Sequence, residues 1–585
     1  MLRRRVLFAS LVIATMLGML WWMALVLSPG GWQPLDVAIW LTFATVLPWL
    51  VVGFWNGVIG LLIDLFSRDP LGAVNPLATS ADAQTPLTVS TAILLCIRNE
   101  MPARLIRNLD TLARGLMAHG QSDRFHVYVL SDTTDEQIAQ QEAVSFEQLA
   151  QNWQGCLGLT YRRRETNTGF KAGNIQDFCD RWGNQHDFAL VLDADSLMSA
   201  QAVHRLIAIM QANPQLGILQ GLVIGLPTTR AFTRLFQFGM RLGMRSYTLG
   251  SAWWQGDCGP YWGHNAAIRL KPFIESCRLP VLIDRQGNEQ HILSHDQVEA
   301  VLMRRAGYDV RVYPLEDESF EENPPNMVDF VARDLRWCAG NMQYFRLLGL
   351  PNLKFTSRVQ LVLAILMFVG APAWLLLLAF MGWLVSHRAG LPVDLSLLSG
   401  LAGMVILMVV LPKLAAAIPV LLRPSQRQRF GGVSRFLVSM VLEFVFAALV
   451  TPVLWVSQAI LLAGLPFGKR IRWGAQNRDD ERVSWSTAWR AFGLHLIVGV
   501  LLIWTWWPST AWAFAVGAYF FIGLVVAIPF AVLTSKAVVS QCLVYWGLCC
   551  VADNLDALSL FAEPAVMPPG SDVSVANEAS LTGGS

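Results

Sequence analysis

The chain has few charged residues for its length. Only 15% of its 585 residues are Asp, Glu, Lys or Arg, whereas soluble domains contain roughly 25%. The formal net charge is +2 and no basic tract with interleaved aromatic residues is present, which argues against a nucleic-acid partner. The nine Cys residues form no C-x-x-C pair and have no His partners at zinc spacing. The sequence therefore predicts neither a structural metal nor a disulfide framework.

Long uncharged apolar runs explain the low charge and predict a membrane protein. Three Arg residues precede the first run, which is too long for a signal peptide and is not followed by a small-residue cleavage site. Basic residues at the start favour an amino terminus in the cytosol. Six spans are predicted, with both termini in the cytosol, near residues 6–27, 37–66, 359–386, 397–422, 492–507 and 511–533.

Residues 436–463 are apolar but ambiguous. They contain Glu443, Thr451-Pro452 and Gln458, and basic segments flank both ends. A simple span would put one basic flank outside, against the positive-inside bias. A re-entrant hairpin or interfacial helices are therefore preferred to a seventh span.

Composition divides the chain into membrane and cytosolic parts. Residues 67–88 are rich in Ala, Pro, Ser and Asp, as in a linker, and residues after 563 are rich in Pro, Gly and Ser, as in disordered tails. The predicted segments are 1–66 (two transmembrane helices), 67–88 (linker), 89–354 (cytosolic α/β domain), 355–422 (transmembrane helices three and four), 423–490 (cytosolic or interfacial, with a gating loop between Trp473 and Trp485), 491–534 (transmembrane helices five and six) and 535–585 (cytosolic tail).

The cytosolic part shows alternating strand and helix patterns. Residues 89–96, 125–130 and 188–192 read as strands, and residues 104–119 and 135–151 read as helices. This alternation is typical of a parallel sheet covered by helices.

Two carboxylates follow the strand at 188–192. Asp193 and Asp195 are two residues apart, so both side chains lie on one side at the carboxyl end of the strand, where open α/β sheets bind ligands. Two such carboxylates repel each other unless a cation lies between them. A divalent metal that carries a diphosphate would satisfy them; solvated Asp residues at a strand end are the alternative.

Other polar residues occur where strands end. Cys96 and Glu100 follow the first strand, Asp132 follows the second, and Lys171 opens a helix in Thr168-Gly-Phe-Lys-Ala-Gly-Asn174. Each signal is weak alone, since an Asp after a strand is often a helix cap and a Lys is often solvated. Together they predict one nucleotide-diphosphate cleft that lacks a Rossmann or P-loop glycine pattern.

Three later stretches combine aromatic, acidic and basic residues. The first stretch contains Trp262, His264 and Asn265. Aromatic faces suit the apolar face of a sugar ring, although packing of these rings within the protein is an equal alternative. Asp296 opens a helix and is either its cap or a general base. A helix just before the membrane carries the cluster Arg333, Arg336 and Trp337. This cluster either binds a ligand or anchors the helix to the membrane surface.

In this order the motifs resemble those of processive, membrane-integrated inverting glycosyltransferases, which have a GT-A catalytic domain and include cellulose and hyaluronan synthases. Leu192-Asp-Ala-Asp-Ser-Leu-Met198, Trp262-Gly-His-Asn265, Ser294-His-Asp296 and Arg336-Trp-Cys-Ala-Gly-Asn341 are similar to the glucan biosynthesis glucosyltransferase H family. The similarity covers roughly residues 1–535. Arg333 and Ser294-His-Asp296 depart from the Gln-x-x-Arg-Trp and Thr-Glu-Asp motifs of cellulose-type enzymes, and the glucan family shares both departures.

The resemblance implies a fold and a function. The fold is an α/β GT-A (nucleotide-sugar transferase) cytosolic domain inserted in a polytopic α-helical membrane domain. The function is polymerisation of glucose from UDP-glucose into a β-linked glucan, with β-1,2 the expected linkage, and export to the periplasm across the bacterial inner membrane. Some members have a long amino-terminal cytosolic extension; the first span here begins near residue 6, so regulation through that extension is not carried over.

The resemblance also implies roles for the candidate residues. Asp296 would be the catalytic base, and Asp195 with Asp193 would hold Mg²⁺ or Mn²⁺. The donor-binding residues would be Cys96, Glu100, Asp132, Lys171, Asp193, Arg333 and Arg336, and the acceptor-binding residues Trp337, Trp262, His264 and Asn265.

The implied partners are UDP-glucose, the growing glucan acceptor, membrane lipid, a periplasmic glucan-modifying protein and acyl carrier protein. Alternative functions are a cellulose-like or hyaluronan-like synthase, a lipid-linked sugar transferase, or, more remotely, a transporter whose cytosolic domain only senses nucleotide.

Overall fold

A computed structural model describes residues 1–283, 287–387, 394–468 and 482–551 of the chain. The predicted gating loop between Trp473 and Trp485 lies mostly, and the predicted disordered tail entirely, outside the described residues. The strands are β1 Thr91–Ile97, β2 Phe125–Ser131, β3 Gly158–Arg163, β4 Phe188–Asp193, β5 Leu197–Met198, β6 Leu216–Gly221, β7 Ile224–Gly225, β8 Ala266–Arg269, β9 Leu282–Ile283, β10 Glu289–Gln290, β11 Asp309–Tyr313 and β12 Ser319–Glu321.

The helices fall into an α/β domain and a set of long apolar helices. Their bounds are α1 Leu2–Leu27, α2 Pro34–Phe66, α3 Pro70–Val74, α4 Pro102–Ala118, α5 Glu136–Asn152, α6 Phe170–Trp182, α7 Ala200–Ala212, α8 Ala231–Gln255, α9 Leu270–Ser276, α10 Asp296–Arg305, α11 Met327–Met342, α12 Phe355–His387, α13 Leu395–Leu422, α14 Pro424–Arg429, α15 Val433–Gly464, α16 Trp485–Trp506, α17 Ala511–Thr534 and α18 Ala537–Tyr545.

The α/β domain is built on a seven-stranded sheet with the order β11-β6-β8-β4-β1-β2-β3. All neighbours pair in parallel except β8, which is antiparallel to β4 and β6. The central strands β1 and β4 are apolar and buried, because helices cover both faces of the sheet. The predicted α/β fold is confirmed, and the three predicted strands correspond to β1, β2 and β4.

The register of the sheet aligns the polar strand ends. In the β1 pairings, Cys96 is opposite both Leu130 and Asp193, and Ile97 is opposite Ser131. Asp132 follows at the same edge, where its backbone N–H donates to the Ile97 carbonyl at 2.9 Å. The carboxyl ends of β1, β2 and β4 therefore form one edge, as expected for parallel strands.

Among the described residues, seven helices are long and apolar enough to cross a membrane: α1, α2, α12, α13, α15, α16 and α17. Six of them correspond to the predicted spans. The seventh, α15, runs without a break from Val433 to Gly464 and has Pro452 inside it. A re-entrant hairpin needs a reversal of the chain, so the hairpin expectation is wrong for this segment. The orientation of α15 stays a prediction.

Ion pairs join the ends of the apolar helices to α8 of the α/β domain. Asp64, at the end of α2, lies 2.8 Å from Arg245 and 3.2 Å from Arg423. Asp257, just after α8, lies 2.5 Å from Arg5 and 3.3 Å from Lys354. These contacts gather the beginnings of α1 and α12, and the ends of α2 and α13, on the side of the apolar helices that faces the α/β domain.

Candidate active site

The two carboxylates after β4 are presented by a tight turn. The Ser196 hydroxyl accepts a hydrogen bond from the Asp193 backbone N–H at 3.0 Å, and the Ser196 N–H donates to the Asp193 carbonyl at 3.0 Å. Asp193 and Asp195 are both half-buried. The turn thus holds two acidic side chains at the edge where the strands end.

Lys171 joins this carboxylate pair to a second loop. Its ammonium forms an ion pair with Asp193 and donates to the Gly263 carbonyl at 2.8 Å. Burial by itself would lower the pKa of Lys171, but the neighbouring carboxylates, Asp193 first, raise that pKa above its usual value. Lys171 is therefore protonated, and its ammonium connects Asp193 at the end of β4 to the loop around Gly263. It is not a solvated surface lysine.

Gly263 brings the third acidic group into the cluster. Its φ of +85° is in the left-handed region, and a Cβ added there would lie 3.4 Å from the Asp296 Cβ. Only glycine adopts such a φ without strain. Asp296, at the start of α10, is also among the charges that raise the pKa of Lys171. The predicted base and the predicted metal carboxylates therefore lie in one cleft, linked through Lys171 and Gly263.

Asp132 is fixed by an arginine that the sequence reasoning missed. Arg164 donates from Nε and Nη2 to the two carboxylate oxygens of Asp132 at 2.7 and 2.6 Å, and both side chains are almost fully buried. Arg164 also donates to the carbonyls of Thr168 and Phe170 at 3.0 and 2.9 Å. The guanidinium therefore orients Asp132 and holds the loop that leads to Lys171. A run of three arginines at the end of β3 was the only sequence signal.

Cys96 and Glu100 line the same edge near β1. Burial raises the pKa of the Cys96 thiol to about 12, so this side chain is a neutral packing group and not a nucleophile. The Glu100 carboxylate is buried and lies 3.0 Å from Arg104, which also contacts Glu322 at 3.3 Å. Arg104 thereby ties Glu100 to the start of α4, and donor binding by Glu100 stays a prediction.

Two side-chain contacts hold the loop before Asp296 in place. His295 is buried and lies 2.9 Å from Glu299; burial would lower the pKa of His295, but the Glu299 carboxylate raises it. The Tyr344 hydroxyl donates to the Ser294 carbonyl at 2.9 Å. Neither Glu299 nor Tyr344 was proposed from sequence, although Glu299 stands one helical turn after His295. Both residues position the loop that carries Asp296.

The aromatic stretch divides into exposed and buried members. Trp262 is half-buried, and its backbone N–H donates to Gln220 at 2.8 Å. His264 lies 3.4 Å from Glu321. Asn265 is fully buried, and its amide donates to the Ser319 hydroxyl at 2.9 Å. In this conformation Asn265 holds the turn, whereas Trp262 and His264 are half-buried, and ligand binding by them stays a prediction.

Helix α11 carries the Arg–Trp cluster on one face. Arg333 stacks on the ring of Trp337 at 4.8 Å, and Trp337 is 47% exposed. Gly340 lies on the same face, and a Cβ there would be 2.1 Å from the Ser294 hydroxyl. The absence of a side chain at Gly340 lets α11 approach the Asp296 loop. Trp337 and Arg336 thereby lie one helical turn from that contact.

The donor set at β4 fits a divalent cation only in part. Within the described ranges, no group of three or more His, Cys, Asp and Glu residues forms a complete metal site. Asp193 and Asp195 supply hard oxygen ligands, which Mg²⁺ and Mn²⁺ prefer. Mg²⁺ is commonly held by one or two carboxylates together with substrate phosphates. The site therefore fits a metal that arrives with a diphosphate.

A cavity of about 380 Å³ lies among the apolar helices α2, α12, α13, α15 and α17. Trp374 stacks on Trp455 with ring centroids 5.1 Å apart and an interplanar angle of 5°, and Phe520 lies 5.7 Å from Trp374. Gln458 and Lys413 are polar members of the lining. Flat aromatic faces beside a few hydrogen-bonding groups suit a carbohydrate chain.

Comparison with known proteins identifies related chains. The family models named Glycosyl transferase family 2 and Glycosyl transferase family group 2 match residues 92–276 and 188–420, respectively. A glucans biosynthesis glucosyltransferase H from Xanthomonas campestris pv. campestris is 35% identical over 580 residues, which cover 95% of this chain and 88% of the relative. The protein of the same name from Xylella fastidiosa is 33% identical over 554 residues, 90% of this chain and 84% of the relative.

Among solved structures, a mannosyltransferase from Pyrobaculum calidifontis in complex with GDP-mannose and Mn²⁺ aligns with a TM-score of 0.43 and 14% identity. The alignment covers 66% of this chain and 99% of that one. An overlap of this size carries no argument about the chemistry of this chain.

Proposed function

This chain belongs to the glucans biosynthesis glucosyltransferase H family of glycosyltransferases, and from that premise we propose that it polymerises glucose from UDP-glucose by an inverting reaction. The product is a β-linked glucan, with β-1,2 the expected linkage, exported across the bacterial inner membrane. The observation that carries the proposal is the cluster in which Lys171 and Gly263 bring the Asp193–Asp195 edge to Asp296.

Donor binding is assigned to the edge formed by β1, β2 and β4. Asp132, oriented by Arg164, accepts hydrogen bonds from the uridine, and Cys96 and Glu100 line the same pocket. Arg333 and Arg336 of α11 pair with the diphosphate. Asp193 and Asp195 would hold a divalent cation, which would supply positive charge against the negative charge that develops on the leaving UDP.

Asp296 acts as the general base. Its carboxylate accepts the proton of the acceptor hydroxyl while that oxygen bonds to the anomeric carbon of glucose, and the bond from this carbon to the UDP oxygen breaks with its electron pair going to UDP. A single displacement inverts the α-linked donor and gives a β-linked product. A positioned base of this kind typically contributes ~10²- to 10⁴-fold in rate.

The acceptor chain binds between the transfer site and the cavity. Trp337, exposed on α11 beside the Asp296 loop, stacks on the terminal sugar, and Trp262 and His264 contact it from the other side. The stacked rings of Trp374 and Trp455 continue the aromatic surface among the apolar helices. Fusing a transferase to these helices lets the chain move outward as it grows.

The contacts of α15 support a path with six crossings. Phe436, near its start, contacts Phe238 of α8 with ring centroids 6.0 Å apart. Leu461, near its end, belongs to one apolar cluster with Cys338 and Ala339 of α11. A helix of this length spans about 48 Å, so a crossing helix would place one end far from the α/β domain. We therefore assign α15 to the membrane interface, with the domain and both termini in the cytosol.

Incorporation of labelled glucose from UDP-glucose by the purified protein in liposomes tests the proposal. We expect incorporation that EDTA abolishes and that Asp296→Asn reduces at least ~10²-fold, with β-1,2 linkages in the product. Asp180→Asn is a matched control, because Asp180 is an exposed partner of Arg278 outside the cleft. A β-1,4 product would replace the assigned linkage with a cellulose-like one. Nucleotide binding without transfer from any UDP-sugar would refute the enzyme assignment.

A further inference from the structure

A hydrogen bond connects the Arg–Trp helix to the wall of the cavity. Gln458 Nε2 on α15 donates to Asp334 Oδ2 on α11 at 2.6 Å. Gln458 also lines the cavity, where it shares one face of α15 with Thr451 and Trp455, since residues spaced by three or four lie on the same side of a helix. Asp334 stands next to Arg333 and one turn before Trp337.

Helix α11 is a shared wall between the transfer site and the apolar helices. On one side Gly340 touches the Ser294 hydroxyl, two residues before Asp296. On the other side Cys338 and Ala339 pack in one cluster with Phe368 of α12 and Leu461 of α15. A shift of α11 along α15 would therefore move Trp337 relative to both Asp296 and the cavity.

The apolar contacts do not fix that shift by themselves. Leu335, Leu462 and Leu465 are among the partly buried residues that pack against the α11–α15 cluster. Apolar contacts of this kind are non-directional, so they select one register only weakly. A charged hydrogen bond has a narrow range of distance and angle, and buried polar pairs can fix one register among several. Burial raises the pKa of Asp334 to about 6, while Gln458 and Arg333 oppose this rise. The protein thus retains a carboxyl where burial disfavours its charge.

We propose that Asp334 and Gln458 are positioning residues that fix α11 against the cavity mouth and thereby set how far the glucan grows before it is released. The inference rests on the proposed polymerase function. In a processive enzyme the product length is the ratio of the elongation rate to the release rate. The pair lowers the rate at which the glucan is released, because it keeps the ring of Trp337, on which the terminal sugar stacks, aligned with the aromatic lining of the cavity. Neither residue takes part in bond formation.

The test measures two quantities for the same proteins in liposomes: initial UDP release from UDP-glucose and the length distribution of the glucan. The variants are Asp334→Ala and Gln458→Met, the second nearly preserving side-chain volume, together with the double variant. Asp334→Asn is the rescue variant, since its amide oxygen accepts the same hydrogen bond. Thermal melting of each variant checks that it is folded.

We expect Asp334→Ala and Gln458→Met to shorten the mean product ~10-fold, because a hydrogen bond to a charged group is commonly worth a factor of ten or more. UDP release by Asp334→Ala should stay within ~3-fold of wild type. The products of the double variant should be no shorter than those of either single variant, and Asp334→Asn should retain long products. Wild-type lengths in the folded Gln458→Met variant would overturn the inference, as would equal shortening by Asp334→Asn. If the wild type itself makes no glucan, the proposed function fails instead.

Discussion

Replacing Arg164 by Met is expected to disorder the proposed donor pocket, although Arg164 is not itself assigned a contact with the substrate. The guanidinium makes two hydrogen bonds of 2.7 and 2.6 Å to Asp132, and the side chains are only 9% and 7% exposed. Removal leaves a buried carboxylate without its charged partner, and breaking such a pair costs about 3–5 kcal/mol. Two backbone carbonyls of the loop before α6, at Thr168 and Phe170, also lose their donor.

The neighbouring Arg163 provides the matched control. It pairs with Glu136 at 2.9 Å, but these side chains are 32% and 68% exposed, and exposed pairs are worth at most about 1 kcal/mol. Arg164→Lys keeps the charge but not the two-pronged geometry, so its effect should be intermediate. Arg163 also donates from Nε to the Thr133 carbonyl at 3.0 Å, so the two arginines share a charge and a backbone contact and differ chiefly in the burial of their ion pairs.

Thermal melting of the purified protein with and without UDP measures the effect. A loss of 3–5 kcal/mol corresponds to a shift of roughly 6–20 °C for a domain of this size, against less than about 4 °C for Arg163→Met. Because Asp132 is no longer oriented, UDP should also raise the melting temperature less than in the wild type. An Arg164→Met protein that melts within ~2 °C of wild type, with the same response to UDP, would refute the reasoning.

Three further outcomes are expected. Gly340→Ala should lower transfer strongly with little loss of UDP binding, measured by kcat and UDP affinity, since its Cβ would lie 2.1 Å from the Ser294 hydroxyl. Asp334→Asn should stabilise the protein increasingly as pH rises. The Asp334 carboxyl has a pKa near 3.8 in the unfolded chain and about 6 in the folded one. The wild type therefore loses stability as the pH rises through this window, by about 3 kcal/mol at most, and the Asn variant does not. Equal melting temperatures of wild type and variant from pH 4 to 8 would contradict this. Cys96 should resist maleimide at pH 8 because burial raises its pKa to about 12, whereas the exposed Cys156 should react; equal labelling rates, read by mass spectrometry, would show that Cys96 is accessible.

Strand-end motifs were predictable because they are local. Apolar β-branched runs followed by polar residues predict both a buried strand and the edge at which it ends. These patterns predict that Asp132 and Asp193 share one cleft, and the sheet order shows that β1, β2 and β4 are neighbours. The supporting residues Arg164 and Tyr344 were missed because their contacts join different elements of the fold. Glu299, by contrast, contacts His295 one helical turn away, and that spacing is visible in the sequence.

Helix α15 marks the limit of hydropathy. Its composition satisfies the requirements of a span, and polar residues such as Glu443 and Gln458 only suggested an exception. The hairpin, preferred because basic segments flank both ends, was wrong because α15 continues through Pro452 without a break; proline is tolerated inside apolar helices. The orientation proposed for α15 rests on the contacts at both of its ends, which hydropathy does not report.

The sequence by itself determined the membrane character, the α/β domain between apolar helices, and the acidic and aromatic groups at the strand ends. These features follow from periodicity and side-chain chemistry, which each segment carries alone. Tertiary structure decided the partners: Lys171 between Asp193 and the Gly263 loop, and Asp334 against Gln458. Such pairs join residues 22 to 124 positions apart. Their geometry depends on how packed layers meet, which local patterns do not encode.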